Sequence, residues 1–238
     1  MRKLVALLCL AGGIAAAGAQ PAAATNECRG LLICVPVAGP WVAVPGGLGV
    51  PRGRVDFQLS CPRRYAIGGL DAELGDRAID IGFVGKLGGP VGPGVTTGRA
   101  AVFTATYVGA SARAPSFRPH LGCIPASGGG GGPVPYRRVA AAAAFPPGEP
   151  TVHRVRNVRL RPGVMTVFAA CGAGERLVSG WQAVGFYTSG PPDATLLNSV
   201  RTARTVRGGR VAVRVAAGPA AGQVRTIVQA GAVCAGGD

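Results

Sequence analysis

The sequence is poor in the residues that carry most enzymatic and metal chemistry. It has two histidines, His120 and His153, and among its 25 basic residues only Lys3 and Lys86 are lysine. No Cys-x-x-Cys occurs to pair with those imidazoles, so a thiolate–imidazole metal site is not expected and no cofactor is read. Neither Gly-x-Ser-x-Gly nor His-Glu-x-x-His is present, which removes the common nucleophile-elbow and zincin signatures. The glycine run 128–132 is followed by no Gly-Lys-Ser/Thr, so it does not read as a phosphate loop. Aromatic residues make up only 5% of the chain, too few for a base-stacking platform, and no specific nucleic-acid recognition is expected. Long apolar runs are also missing, so no transmembrane anchor is predicted. No stretch beyond the N-terminus shows a capped period of 3.6, which argues against helices.

What is present begins with an export signal. Arg2 and Lys3 precede an apolar run from Leu4 to Ala17, and Ala17-Gly18-Ala19 has the small-x-small form of a cleavage site. Cleavage before Gln20 is expected, with Ala22-Ala23-Ala24 offering a second site. Cys9 lies inside the apolar run, which leaves six cysteines in an exported chain: Cys28, Cys34, Cys61, Cys123, Cys171 and Cys234. An even number in that compartment predicts disulfides, although six cysteines allow fifteen pairings.

The chain also repeats itself. Cys61 to Cys123 is a step of 62 residues, and Cys171 to Cys234 is a step of 63. Val55-Asp56-Phe57-Gln58-Leu59-Ser60 leads into the first of these units, and Thr166-Val167-Phe168-Ala169-Ala170 into the second. A small-Gly pair follows each opening cysteine, Gly68-Gly69 in one and Ser179-Gly180 in the other, which sets Trp181 against Leu70. If each unit folds alone, Cys61 bonds Cys123 and Cys171 bonds Cys234, leaving Cys28 to close a small loop with Cys34. Closing a loop of that length is worth roughly 4 kcal/mol in the chain-entropy model. The opening Cys-Pro, the Gly-Gly and the closing small-x-Cys-small together resemble a repeat of uncharacterised secreted proteins from high-GC Gram-positive bacteria. That repeat reads Cys-Pro-x-Gly near its start, where this chain has Cys61-Pro62-Arg63-Arg64 and Cys171-Gly172-Ala173-Gly174. The resemblance implies an extracellular β protein and carries no known activity.

Period-2 alternation dominates both units. Val55, Phe57 and Leu59 share one face; Ile79, Ile81 and Phe83, then Phe103, Ala105 and Tyr107, then Phe117, Leu121 and Cys123 form further inward rows. In the second unit Val211, Val213 and Val215 alternate with Arg210, Ala212 and Arg214. The expected fold is all-β, two tandem disulfide-stapled β-sandwich (or small barrel) units. The expected division is a signal peptide at 1–19, unit 1 at 20–125, a Gly/Pro-rich linker at 126–150 and unit 2 at 151–238.

Candidate sites are few. The carboxylates Asp71, Glu73, Asp76 and Asp80 cluster around one hairpin and could suit a cation, but solvated outer-face charges explain them as well. His120 is expected to point outward beside Arg118, and arginines around His153 are expected to disfavour its protonation. The net charge of +15 is the stronger signal. Arg154 and Arg156, Arg159 and Arg161, and Arg210 and Arg214 fall at even spacings, as one face of a strand would place them. A basic face suits acidic cell-wall or extracellular polymers, while a Gly-, Pro- and Arg-rich, Lys-poor composition gives the same charge a genomic origin. The reading is an exported, non-catalytic structural or adhesive protein; the alternative is a secreted hydrolase with its site where the two units meet.

Overall fold

The computed structural model describes residues 25–47, 51–85, 98–110, 115–126 and 151–235. The expected signal peptide and nearly all of the expected linker lie outside these residues. Among the described residues thirteen strands carry the fold. Unit 1 contains β1 (Val35–Ala38), β2 (Trp41–Ala43), β3 (Arg54–Ser60), β4 (Tyr65–Leu74), β5 (Ile79–Gly85), β6 (Ala100–Tyr107) and β7 (Ser116–Pro125). Unit 2 contains β8 (Thr151–Arg159), β9 (Gly163–Ala170), β10 (Arg176–Tyr187), β11 (Val200–Arg207), β12 (Arg210–Ala217) and β13 (Arg225–Ala235). Two five-residue helices, α1 (Ala194–Asn198) and α2 (Pro219–Gln223), sit in unit 2. Asp193 caps α1 by accepting the Leu196 N–H at 2.7 Å. No helix among the described residues is long and apolar enough to cross a membrane.

The two units repeat strand for strand. In unit 1, β4 and β1 flank β7 while β3 and β5 flank β6; in unit 2, β10 and β8 flank β13 while β9 and β11 flank β12. Each opening cysteine follows the strand that leads the small sheet, β3 or β9. Each closing cysteine lies on the central strand of the other sheet, β7 or β13. The bonds Cys61–Cys123 and Cys171–Cys234 therefore staple sheet to sheet, with Cα separations of 5.7 and 5.6 Å. Cys28–Cys34 closes a short loop. The inward rows are buried as alternation demands: Phe57, Phe103, Phe117, Leu121, Val211, Val213 and Val215 lose almost all contact with solvent. Phe83, at the end of its row, is instead half exposed.

Local details repeat as well. The turn after each opening cysteine closes alike, Tyr65 N–H on Pro62 C=O and Glu175 N–H on Gly172 C=O, both at 3.2 Å. The third residue of each turn adopts a left-handed conformation, Gly174 at φ 78° and Arg64 at φ 69°. Glycine takes that geometry without strain and arginine does not. Each following strand then carries a bulge at the same place, between Ile67 and Gly69 and between Leu177 and Ser179. The register against the closing strand corrects the expected equivalence of Trp181. Opposite the closing strand, Leu70 faces Leu121 and Gly180 faces Ala232, whereas Asp71 faces His120 and Trp181 faces Gly231. Trp181 thus matches Asp71, and its ring lies on the face of the sheet turned away from the unit 2 core.

The units are not independent bodies laid end to end. β1 and β2 form one strand bent at Gly39-Pro40, and β2 pairs with β7 on one side and β10 on the other. One seven-stranded sheet therefore runs through both units, and the two three-stranded sheets lie on its opposite faces. Ala183 and Ile227 of unit 2 pack into the core of unit 1, while their neighbours Val184 and Val228 pack into the core of unit 2. Consequently β13 is buried on both faces for most of its length. Its Gln229 side chain is fully buried and clasps the free edge of β3: Oε1 accepts the Gln58 N–H at 2.6 Å, and Nε2 donates to the Gln58 carbonyl at 2.9 Å and to Asn157 Oδ1 at 2.7 Å.

Candidate functional site

The six arginines singled out by spacing do not form one surface. Arg154 and Arg156 share a face of β8, Arg159 turns to the other face, and Arg161 follows the strand. Arg154 is committed to a two-point pair with Glu175, whose Oε2 also accepts the Gly172 N–H at 2.6 Å. Hydrogen bonding from Arg154, then from Gly172, holds the Glu175 carboxyl down to about 2. Glu175 in turn pushes the Arg154 guanidinium above its ordinary range. This pair fixes the turn after Cys171. Cys171, Glu175 and Cys234 group closely enough to suggest a metal site, but both sulfurs are bonded to each other and offer no thiolate.

Arg210 and Arg214 do share a face, the outer side of the β9–β12–β11 sheet. Two arginines that spacing within single strands missed join them there. Gly208 and Gly209 make a two-residue turn with both φ positive, at 59° and 73°. That turn sets the register so that Arg207 lies opposite Arg210, and Arg201 opposite Ala216. The Gly-Gly pair between two alternating runs was the signal that could have found them. Thr166, Phe168, Thr205 and Ala212 lie among them, Val164, Ala170, Ala203 and Ala216 complete the face, and Arg210 rests over the Phe168 ring at 5.2 Å. No carboxylate occupies it. Unit 2 has two described acidic residues, Glu175 and Asp193, and both are occupied, one by Arg154 and one as the α1 cap.

The acidic residues of unit 1 disperse. Asp76 caps its own turn through the Ala78 N–H at 2.8 Å, and Asp80 is exposed on β5. Asp71 faces a segment that sequence reasoning left out, the N-terminal stretch through Cys28, while Glu73 lies beside His120 and Arg118. Asp71 accepts the Asn26 N–H at 2.6 Å. The backbone of Glu27 presses onto Gly69 and Gly122, where a β-carbon would collide with its carbonyl oxygen. This segment buries His120, contrary to the outward placement expected for it. The imidazole lies between two carboxylates, Nδ1 at 3.6 Å from Glu27 and Nε2 at 2.8 Å from Glu73. His153 does have its protonation disfavoured, but the cause is burial against unit 1, opposed by Asp56, and not the arginines.

A third feature lies where the units meet. A groove of about 740 Å³ runs along one edge of β10, with Pro45, Arg54 and Asp56 on the unit 1 side and Asn198, Thr202 and Arg204 on the unit 2 side. Arg54 pairs with Asp56 at 2.8 Å, and Arg204 donates to the Gly180 carbonyl. Trp181 lines the groove, and its buried indole N–H finds no acceptor among the described residues. Compared with known proteins, this chain matches no family model, no curated protein and no solved structure.

Proposed function

We propose that this is an exported, non-catalytic adhesive or structural protein that binds acidic extracellular polymers through the outer face of the β9–β12–β11 sheet. One observation carries the reading: Arg201, Arg207, Arg210 and Arg214 stand on one flat face with no carboxylate among them. Arginine suits this role because its fork donates two parallel hydrogen bonds to a phosphate, sulfate or carboxylate. Three disulfides fit an oxidising compartment, where wall polymers and released nucleic acid carry dense negative charge. Threonines and alanines lie between the arginines, and the exposed Phe168 and Val164 add apolar surface along β9.

Binding of fluorescent polyphosphate, measured by anisotropy between about 50 and 200 mM salt, tests the reading. With four contacts the slope of log affinity against log salt is expected to be of order −3 to −4, as counterion release from a polyanion dictates. Replacing all four arginines by serine should flatten that slope and weaken binding at least tenfold. An unchanged slope in the fourfold variant overturns the assignment. Arg154→Ser serves as the control, because its guanidinium is held by Glu175 and should contribute little.

A further inference from the structure

The short loop between Cys28 and Cys34 holds an apolar tip in solvent on a fixed base. Asp71 accepts the Asn26 N–H at 2.6 Å, the Glu27 carbonyl lies over Gly69 and Gly122, and the Cys28–Cys34 bond closes the ring. Val35, directly after Cys34, opens β1 opposite Cys123. Within the loop two turns follow each other. The Arg29 N–H donates to the Asn26 carbonyl at 2.9 Å and the Leu31 N–H to the Cys28 carbonyl at 3.2 Å, with Gly30 left-handed at φ 79°. Leu31 turns back and closes with Ile124 over Gly68, where a β-carbon would strike both side chains. Leu32 and Ile33 then stand away from the fold, the first fully exposed and the second 65% exposed. Single apolar residues on a surface are ordinary. Two adjacent aliphatic side chains held outward by a clamped, cross-linked loop are not.

We propose that this tip docks on an anionic lipid surface, with Leu32 and Ile33 entering the acyl region and the arginines around them meeting the headgroups. Exposed Arg29 lies in the loop itself. Exposed Arg63 and Arg64 lie in the turn after Cys61, at the same end of unit 1. There the Arg64 carbonyl accepts the Ala126 N–H at 2.8 Å, two residues past Ile124. Exposed Arg99 joins them, its carbonyl taking the Cys61 N–H at 2.8 Å. None of the four is paired with a carboxylate among the described residues. The acids beside the loop are already occupied: the buried Glu27 side chain lies at His120, and Asp71 holds Asn26. Apolar insertion and cationic attraction acting together are what interfacial binding requires. A protein partner fits less well. Two aliphatic side chains fall far short of the roughly 800 Å² per side that a stable protein interface buries, and the loop holds no tryptophan or tyrosine. The fixed base leaves little of the loop to be ordered on binding. This surface belongs to unit 1 and is independent of the arginine face of unit 2.

Co-sedimentation of the oxidised, exported protein with vesicles tests the proposal, using phosphatidylcholine alone and with about one third phosphatidylglycerol added. Binding should need the anionic lipid, and should weaken at least tenfold when Leu32→Ser and Ile33→Ser are combined. Both positions are exposed, so the double variant keeps its fold, as circular dichroism and a non-reducing disulfide map would establish. Leu32→Trp supplies a depth probe, because Trp41 and Trp181 are buried. Its emission should shift to the blue on anionic vesicles and be quenched by lipid brominated in the acyl chains. Unchanged binding by the double serine variant, or an unshifted and unquenched emission, overturns the proposal. So does binding that the double variant keeps but that is lost on replacing Arg201, Arg207, Arg210 and Arg214 by serine, which would assign it to the outer face of unit 2. Equal capture by phosphatidylcholine alone overturns the part given to the arginines. Self-association that the double variant abolishes, with vesicles ignored, would give the tip to a second copy of this chain and also overturn the proposal.

Discussion

Replacing Gln229 by leucine tests how the two units are joined. The side chain is fully buried and makes three hydrogen bonds, two of them to the backbone of Gln58 on the edge strand of unit 1. Leucine fills a similar volume but offers no donor or acceptor. A hydrogen bond of this kind contributes about 0.5–1.5 kcal/mol net, and leaving a buried partner unsatisfied costs about 1–3 kcal/mol. Water reaches part of the Gln58 side, so a loss of about 3 kcal/mol is expected, with a fall in Tm of about 6–12 °C for a chain of this size. Asn157→Ala removes one contact of the three and should cost about 1 kcal/mol. Both tryptophans lie at the junction, Trp41 on β2 and Trp181 on β10, so intrinsic fluorescence reports on the contact between units while far-ultraviolet circular dichroism reports on all strands. In urea the native protein should give coincident transitions by both probes. The leucine variant should lose the fluorescence signal first. A destabilisation under about 0.5 kcal/mol with coincident transitions would refute the clasp and assign the junction to apolar packing alone.

Three further outcomes are expected. Arg64→Gly should stabilise unit 1 by about 0.5–1 kcal/mol in urea unfolding: relief of the left-handed strain exceeds the added freedom of the unfolded chain. Glu175 has its carboxyl lowered in the folded state, so its stabilising pair with Arg154 is fully present above the unfolded carboxyl range and fades only as pH falls toward about 2. Glu175→Gln should therefore make thermal stability less sensitive to acid across that window, as calorimetry at about pH 2–5 would read. Gly122→Ala puts a β-carbon into the Glu27 carbonyl and should displace the segment through Cys28. Limited proteolysis near Arg29 would then be accelerated, and wild-type cleavage rates would count against that packing.

These strands were legible because they bury one face against the sheet opposite, and alternation at Val55-Phe57-Leu59 or Val211-Val213-Val215 records that burial directly. The cysteine spacing carried the two sheet-to-sheet staples. The shared sheet was not legible in the same way. β2 is three residues long, and nothing local in Trp41–Ala43 announces a partner as distant in sequence as Phe186. A trace did exist in β13, where Ile227-Val228-Gln229-Ala230-Gly231-Ala232 fails to alternate. A strand covered on both faces reads as an unbroken run of apolar and small residues, and a lone glutamine in it marks a specific partner. Trp181 was misplaced by one position because Ser179-Gly180 was set against Gly68-Gly69, whereas both strands bulge alike and Ser179 takes the place of Gly69; a shift of one residue in a strand reverses the face assigned to a side chain. His120 was misread because the segment that covers it lies in a part of the chain with no periodic pattern at all.

The bent strand β1–β2 also sets an order of events. As a chain emerges from its N-terminus, β2 is among the first segments available, and β7 can pair with one of its edges once residue 125 has appeared. Its other edge must stay bare until β10 arrives, some sixty residues later. In that interval Trp41 and Val42, both fully buried in the finished protein, have no lasting cover on that side. Folding of the first unit alone therefore leaves an adhesive seam. The rate at which β10 and β13 arrive decides whether the seam closes within the chain or against a neighbouring molecule.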